Sequence, residues 1–240
     1  RFTIITDEAT DEKMLCAGLA YLPLIAVVDY ELTLTKPARL TADTGIDSLV
    51  HAIEAYVSKR ANPFADSMAL SAMRLIWPNL PTACTDPGNH AAREALMLGA
   101  LQGGIAFSNS SVALVHGMSR PIGAHFHVAH GLSNAMLMPL VTKWSAPAAL
   151  GRYADCARAM GLADDAVDDQ AAAARLVEGL EWINAELSVP SPAQYGITRE
   201  KWDALTPLMT EQALASGSPG NNPRVPDAEE IAELYGMVWG

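Results

Sequence analysis

The chain has 240 residues and a formal net charge of −11; 50% of its residues are hydrophobic and 18% are charged. This length and composition predict a globular protein with a sizeable core and exclude a disordered chain. Because 16 basic residues stand against 27 acidic ones, we expect no nucleic-acid partner, and the longest apolar stretches are too short to span a bilayer. Three widely separated cysteines indicate free thiols in a reducing cytoplasm.

Two strands are predicted at the start of the chain. The stretch RFTIIT (1–6) is rich in β-branched and aromatic residues, and residues 24–28 form a short apolar run that Asp29 ends. The chain begins without a methionine and enters a strand at once. We therefore expect it to be the later part of a longer protein.

From about residue 43 onward the pattern is helical. Apolar residues recur at positions i, i+3, i+4 and i+7 from Ile46 to Val57, which predicts a helix with one buried face. A second helix is predicted from Phe64 to Trp77, where WPNLP ends it, and a Gly- and Ala-rich helical region from Ala91 to Gly117. Further helices are predicted at 131–143, 146–160, 168–187, 199–214 and 227–238.

Asp47 and His51 lie four residues apart in the first of these helices. Residues with this spacing project from the same face of a helix, so a carboxylate oxygen and a ring nitrogen can point at one position. A surface ion pair or a buried, hydrogen-bonded histidine has the same spacing. The pair by itself leaves these interpretations open.

Two further histidines, His116 and His130, lie 14 residues apart. On one straight helix they would be separated by about 21 Å, which is too far to share an ion. Gly117, Pro121 and Gly123 are predicted to break the chain between them. The chain can then turn back, with His130 just before a new helix, and bring both imidazoles to the face that carries the aspartate.

Three imidazoles and one carboxylate, without a thiolate, suit a borderline divalent cation such as Fe(II), Zn(II), Co(II) or Ni(II). Calcium and magnesium prefer more oxygen ligands. The spacing alone leaves two alternatives open, a metal site and a buried polar network.

Two segments carry a resemblance to a known family: LTADTGIDSLVHAIEAYVSKRANPFAD (40–66) and GALQGGIAFSNSSVALVHGMSRPIGAHFHVAHGLSNAMLMP (99–139). They resemble the two signature regions of the iron-containing (group III) alcohol dehydrogenases, and the likeness runs through essentially the whole chain. The resemblance implies a mainly α fold. Residues 43–240 would form the all-helical metal-binding catalytic domain, of dehydroquinate synthase-like architecture, and residues 1–42 the last strands of a truncated α/β nucleotide-binding domain.

The resemblance also implies a site and an activity. The family's four metal ligands fall at Asp47, His51, His116 and His130, and the metal is usually Fe(II) and sometimes Zn(II). The implied reaction is NAD- or NADP-linked hydride transfer between a small alcohol or hydroxy acid and its carbonyl form. The metal would act as a Lewis acid on the substrate oxygen.

Three more residues stand at positions that have a role in that family. Two of them match the family pattern and one departs from it. Lys13 matches a position that contacts the nicotinamide cofactor, and Phe107 one that lines the substrate and nicotinamide pocket. Arg120 stands where many members have a histidine. A guanidinium stays protonated, so it cannot relay a proton. We interpret it either as a partner for an acidic substrate or as a residue that bonds helix carbonyls.

Other polar residues near these motifs have plainer interpretations. Glu54 lies on the same stripe as Asp47, where it either orients a ligand or makes a structural hydrogen bond. His125 and His127 are predicted as pocket-wall or surface residues, His90 as a solvated loop residue, and Arg224 as a residue that fixes the C-terminal loop.

Two other functions remain as alternatives. A relative such as a dehydroquinate synthase or a glycerol dehydrogenase shares the architecture but uses three protein ligands without the D-x-x-x-H pair. The second alternative is a non-catalytic helical metal-binding or oligomerisation module. It is supported by the sequence itself, because the 240 residues contain no G-x-G-x-x-G loop that would bind a pyrophosphate. As it stands the chain is expected to bind NAD(P) poorly. A homo-oligomer is expected for the full-length protein.

Overall fold

The structure, a computed structural model, describes residues 2–6 and 13–240. Strand β1 (Phe2–Thr6) pairs antiparallel with strand β2 (Lys13–Ala17), so that Phe2 lies opposite Ala17 and Thr6 opposite Lys13. Whether this hairpin ends an α/β domain, and whether the domains divide at residue 42, stay predictions.

The second predicted strand, residues 24–28, is wrong. This segment is irregular and lies exposed between two short 3₁₀ turns, Leu19–Tyr21 and Tyr30–Thr33. Leu24 and Val27 are 103% and 88% exposed. An apolar run becomes a strand only where another backbone pairs with it, and the one sheet in the described residues contains only β1 and β2.

The described chain from Ala38 onward is the predicted all-helical domain, and it contains nine α-helices. They are α1 (Ala38–Val57), α2 (Pro63–Thr85), α3 (His90–Asn109), α4 (Leu114–Phe126), α5 (His130–Ser145), α6 (Leu150–Ala159), α7 (Asp169–Glu186), α8 (Arg199–Ala215) and α9 (Ala228–Val238).

Helix α1 is the centre of this domain. Thirteen of its 20 residues are buried, which is more than the single apolar face predicted from the sequence. It packs against α2, α3, α4, α5 and α6. The remaining helices close the domain around it, with α7 on α5 and α6 and with α8 on α4 and α9. Because neighbours surround α1, polar side chains on it lie inside the protein.

Helix α2 extends eight residues beyond the end predicted at Trp77. Pro78 and Pro81 both lie inside it, and the helix continues to Thr85. A proline in a helix interior costs about 3 kcal/mol, because it removes a hydrogen bond and crowds the preceding turn. Ile76 and Leu80 on this stretch are completely buried in the core. Tertiary packing of that apolar face outweighs the local cost, which the sequence pattern does not reveal.

The helical region predicted from Ala91 to Gly117 is two helices. Helix α3 ends at Asn109, α4 begins at Leu114, and their axes are bent by 106°. A residue outside the two helices stabilises the turn between them. Asn221 donates hydrogen bonds from its side-chain amide to Ser111 Oγ (2.8 Å) and to the carbonyl of Val112 (3.3 Å).

The predicted chain break at Gly117, Pro121 and Gly123 is also wrong, because all three lie inside α4. Gly117 is instead a packing position, since a Cβ atom there would lie 2.8 Å from the ring of Pro219. The chain turns back after α4, where His127 adopts the left-handed conformation with φ 56°. Helix α5 then begins at His130.

Gly131 sets how closely α5 approaches α1. A Cβ atom at this position would overlap the backbone carbonyl of Asp43. Only a glycine lets the first turn of α5 rest directly on the backbone of α1. This contact fixes the place of the adjacent His130.

Over the described residues, no single helix is both long and apolar enough to cross a membrane. Helices α3 and α4 meet the length and composition criteria only as a pair, and they are sharply bent against each other.

Candidate metal centre

Helix α1 supplies the first half of the centre. Asp47 and His51 lie one turn apart on it, and His51 Nδ1 is 3.9 Å from Asp47 Oδ2. Glu54 follows on the next turn, and its side chain is 5% exposed. The spacing in the sequence thus produces a carboxylate, an imidazole and a second carboxylate along one stripe of the central helix.

Helices α4 and α5 supply the second half. His116 Nε2 lies 3.5 Å and His130 Nε2 lies 3.7 Å from the same oxygen, Asp47 Oδ1. One ligand atom from each of Asp47, His51 and His116 lies within 4.8 Å of the others. The ring centroids of His116 and His130 are 5.3 Å apart. The structure therefore brings all four residues predicted as ligands into one cluster, which we call the His/Asp cluster.

The His/Asp cluster is closed on one side and open on the other. The side chain of His116 is 3% exposed, whereas those of Asp47 and His51 are each 20% exposed and that of His130 is 49% exposed. A cation held here would therefore be reached from the side of His51 and His130. Catalytic metal sites keep such an accessible position, and structural ones are closed.

Glu54 closes the buried side. Its carboxylate accepts hydrogen bonds from the backbone N–H groups of Ala113 (2.8 Å) and Val115 (2.6 Å), and it lies 2.7 Å from His116 Nδ1. Helix α4 has no side-chain cap of its own, so this carboxylate from α1 caps it and offsets its dipole. The same group orients the ring of His116, so that Nε2 faces Asp47.

The pKa values in the cluster follow from burial and mutual charge. Burial by itself raises the pKa of Asp47, but its hydrogen bond to His116 and the nearby histidine charges lower it well below its usual range. Burial and the charge on His116 lower the pKa of His51 to about 3. Burial also opposes a proton on His116, but hydrogen bonds to Asp47 and Glu54 outweigh it and raise that pKa to about 9.

The donor chemistry fits a borderline divalent cation. Asp47 is ionised and His51 is neutral at pH 7, which are the forms that bind metal, and a cation would displace the proton held by His116. Three nitrogens and one oxygen match Fe(II) or Zn(II) better than Ca(II) or Mg(II).

The other predicted site residues differ in how the structure places them. The ring of Phe107, on α3, stacks on His51 with centroids 4.4 Å apart, so it forms a wall of the His/Asp cluster. Arg120 lies one turn beyond His116 on α4 and donates a hydrogen bond to Ser218 Oγ at 3.1 Å. The backbone of Lys13 is in β2, but its side chain is outside the described part of the chain.

Three histidines and one arginine make contacts away from the cluster. His125 Nε2 lies 2.8 Å from Gln212 Oε1, and His127 is an exposed turn residue. His90 was predicted in a loop but is the first residue of α3, capped by Asn89 and still exposed. Arg224 pairs with Glu230 at 2.6 Å and holds the C-terminal loop.

Sequence reasoning missed one residue of the cluster, Asn134. It is completely buried on α5, and its Nδ2 lies 2.5 Å from Asp47 Oδ1 and 3.3 Å from the Nε2 atoms of both His116 and His130. The signal was available in the sequence, because Asn134 follows His130 by four residues and so shares its helix face.

Comparison with known proteins assigns the family. A model of the Fe-containing alcohol dehydrogenase family, C-terminal, matches residues 41–239. The chain belongs to this family. It is 36% identical over 239 residues to 1,3-propanediol dehydrogenase of Citrobacter freundii, and 34% identical over 239 residues to NADPH-dependent butanol dehydrogenase of Clostridium saccharobutylicum. These matches cover 100% and 99% of this chain, and 61% of each relative.

The fold of this iron-dehydrogenase domain is also found in solved structures. The crystal structure of a 1,3-propanediol oxidoreductase superimposes with a TM-score of 0.92 at 33% identity, covering 99% of this chain and 62% of that one. The chain thus spans about three fifths of the length of the relatives that it matches. It matches the C-terminal helical part of the Fe-containing alcohol dehydrogenase family and carries a His/Asp group that could hold a metal ion.

Proposed function

We propose that this chain is the metal-binding part of an NAD- or NADP-dependent alcohol dehydrogenase, which interconverts a small alcohol or hydroxy acid and its carbonyl form. The observation that carries the proposal is the convergence of Asp47, His51, His116 and His130 on a cluster with one accessible side. We further propose that the protein is cytoplasmic and a homo-oligomer, as expected from its sequence and family.

The residues of the His/Asp cluster have separate tasks in this proposal. The four predicted ligands would hold a divalent cation, Fe(II) in first place and Zn(II) as the alternative. When bound, the cation supplies Lewis acidity towards the substrate oxygen, and the nicotinamide supplies the hydride exchange. Glu54 keeps the ring of His116 oriented, and Phe107 supports the ring of His51 and restricts access of water from α3.

Metal content tests this proposal directly. After incubation with Fe(II) or Zn(II) and removal of free metal, we expect about one ion for each chain in the wild type, and much less in Asp47→Ala and His51→Ala, because each loses a ligand. His125→Ala is the matched control, since it removes a histidine whose ring pairs with Gln212 and is not part of the His/Asp cluster. Equal metal content in the wild type and both ligand variants would exclude the site.

Arg120 extends the proposal to the substrate. In the described part of the chain its guanidinium group bonds the hydroxyl of Ser218 and makes no ion pair. Its charge contributes to the lowered pKa of His51, so it acts on the cluster. We propose that it favours substrates with a carboxylate, because a guanidinium binds carboxylates through paired hydrogen bonds.

Substrate preference tests the role of Arg120. In full-length enzyme, Arg120→His is expected to raise KM for a hydroxy acid by about tenfold, which corresponds to the loss of about 1.4 kcal/mol of binding free energy. KM for a neutral alcohol of the same chain length should change much less. An unchanged ratio of kcat/KM for the two substrates would show that Arg120 serves only to bond Ser218.

A cofactor measurement distinguishes the non-catalytic alternative from the proposed dehydrogenase. If the full-length protein binds metal, leaves the fluorescence of added NAD(P)H unchanged and has no dehydrogenase activity, the helical domain is a metal-binding module without turnover.

A further inference from the structure

Asn134 lies at the point where the donor atoms of the His/Asp cluster meet. Its amide nitrogen is 2.5 Å from Asp47 Oδ1 and 3.3 Å from a ring nitrogen of each of His116 and His130. The residue is completely buried, so no surface role accounts for this position.

The orientation of the Asn134 amide follows from its neighbours. An ionised carboxylate only accepts hydrogen bonds, so the group that faces Asp47 is the NH₂ and not the oxygen. The amide oxygen, Oδ1, points away and is buried without a hydrogen-bond partner in the described structure. Leaving a buried acceptor unpaired is unfavourable. The contact of the NH₂ group with the cluster must therefore outweigh that cost.

An amide NH₂ carries partial positive charge and attracts the same lone pairs that a divalent cation needs. A cation such as Zn(II) would bind about 2.0–2.2 Å from nitrogen and oxygen ligands. The amide hydrogens and the ion cannot both point at Asp47 Oδ1 and at the facing ring nitrogen of His130. The two therefore compete for these atoms.

We propose that Asn134 is a positioning residue that holds the donor side chains of the cluster together when no cation is bound, and that its amide turns away when a cation binds. This inference rests on the proposed metal site. A role for Asn134 as a further ligand is less favoured, because its amide oxygen points away from the donor atoms and an amide oxygen suits Ca(II) or Mg(II) better.

The test compares metal-free stability with metal affinity in wild type and Asn134→Ala. In excess chelator the variant should unfold several degrees lower, because the Asp47 carboxylate loses a buried hydrogen-bond donor. Its dissociation constant for Zn(II), measured by competition with a chromophoric chelator, should be about tenfold lower, because the ion no longer displaces the amide. A purely structural role would lower stability without tightening metal binding.

Asn184→Ala is the matched control. Asn184 donates to the carbonyl of Ala135, also leaves its Oδ1 unpaired in the described structure, and does not touch the cluster's donor atoms. It should lose stability without any change in Zn(II) affinity. If Asn134→Ala does not fold, Asn134→Ser keeps a small donor and should show a weaker form of both effects.

Two outcomes would overturn the inference. Weaker Zn(II) binding by the Asn134 variants would make the residue a ligand or a support for the bound state, and unchanged metal-free stability would show that it does not hold the cluster. If the wild type binds neither Fe(II) nor Zn(II), the dehydrogenase proposal fails, while the measurements in chelator still decide whether Asn134 stabilises the cluster.

Discussion

The buried side of the His/Asp cluster and its open side are built differently, although both belong to one small site. On the buried side, one carboxylate from α1 holds the start of α4 and the ring of His116 through three short contacts. On the open side, His130 stands half exposed at the first residue of α5. The two sides therefore differ in what their contacts do. The buried side makes the helices meet, and the open side completes the donor set.

The largest expected effect comes from Glu54, on the buried side. Glu54→Ala leaves two backbone N–H groups and an imidazole without their acceptor, and we expect the free energy of unfolding to fall by about 3–5 kcal/mol. Urea denaturation in the presence of chelator measures this. Glu94→Ala, at an exposed position of α3, is the matched control and should stay within about 0.5 kcal/mol of wild type. A Glu54→Ala variant as stable as this control would remove the distinction between the two sides.

The next effect belongs to His130, on the open side. His130→Ala should lose most of the Fe(II) or Zn(II) affinity, because one of four ligands is removed, yet its free energy of unfolding in chelator should change by less than about 1 kcal/mol. Metal content and urea denaturation on the same preparation separate the two quantities. If the stability of His130→Ala falls as far as that of Glu54→Ala, the open side is as much a part of the folding core as the buried one.

The smallest effect is expected from Phe107, which stacks on His51 from α3. Phe107→Leu removes an aromatic pair worth about 0.5–1.5 kcal/mol, so metal affinity should weaken by about tenfold or less. Phe126→Leu is the matched control, because Phe126 stacks on Trp202 and should affect stability alone. Equal metal affinities in the two variants would show that Phe107 does not support the ring of His51.

The sequence predicted the helical domain and the convergence of the four residues of the His/Asp cluster, because both depend on local spacing and on the family motifs; their role as metal ligands stays a prediction. The i, i+4 relation of Asp47 and His51 is a property of any helix, so the stripe on α1 could be derived from positions alone. The start of α5 at His130 was predicted within one residue.

Features that depend on distant contacts were not predicted. Pro78 and Pro81 remain helical because the core packs on their helix, and Gly117 lies inside α4 at a place where the ring of Pro219 leaves no room for a Cβ atom. Glu54 both caps α4 and orients the ring of His116. To predict this, one must know that α4 begins beside Glu54 in space, and a local sequence pattern does not contain that information. Asn134 was overlooked because a buried amide has no metal-ligand signature of its own.

Gly131 affects the distance between two residues of the His/Asp cluster. Since α5 rests on the carbonyl of Asp43 at this residue, the distance from His130 to Asp47 is set by two backbones in contact and not by the fit of side chains. Side-chain packing can relax around a mutation, whereas a peptide backbone yields little. A single methyl group at position 131 would push α5 away from α1 and so widen the gap between His130 and Asp47, two of the proposed ligands.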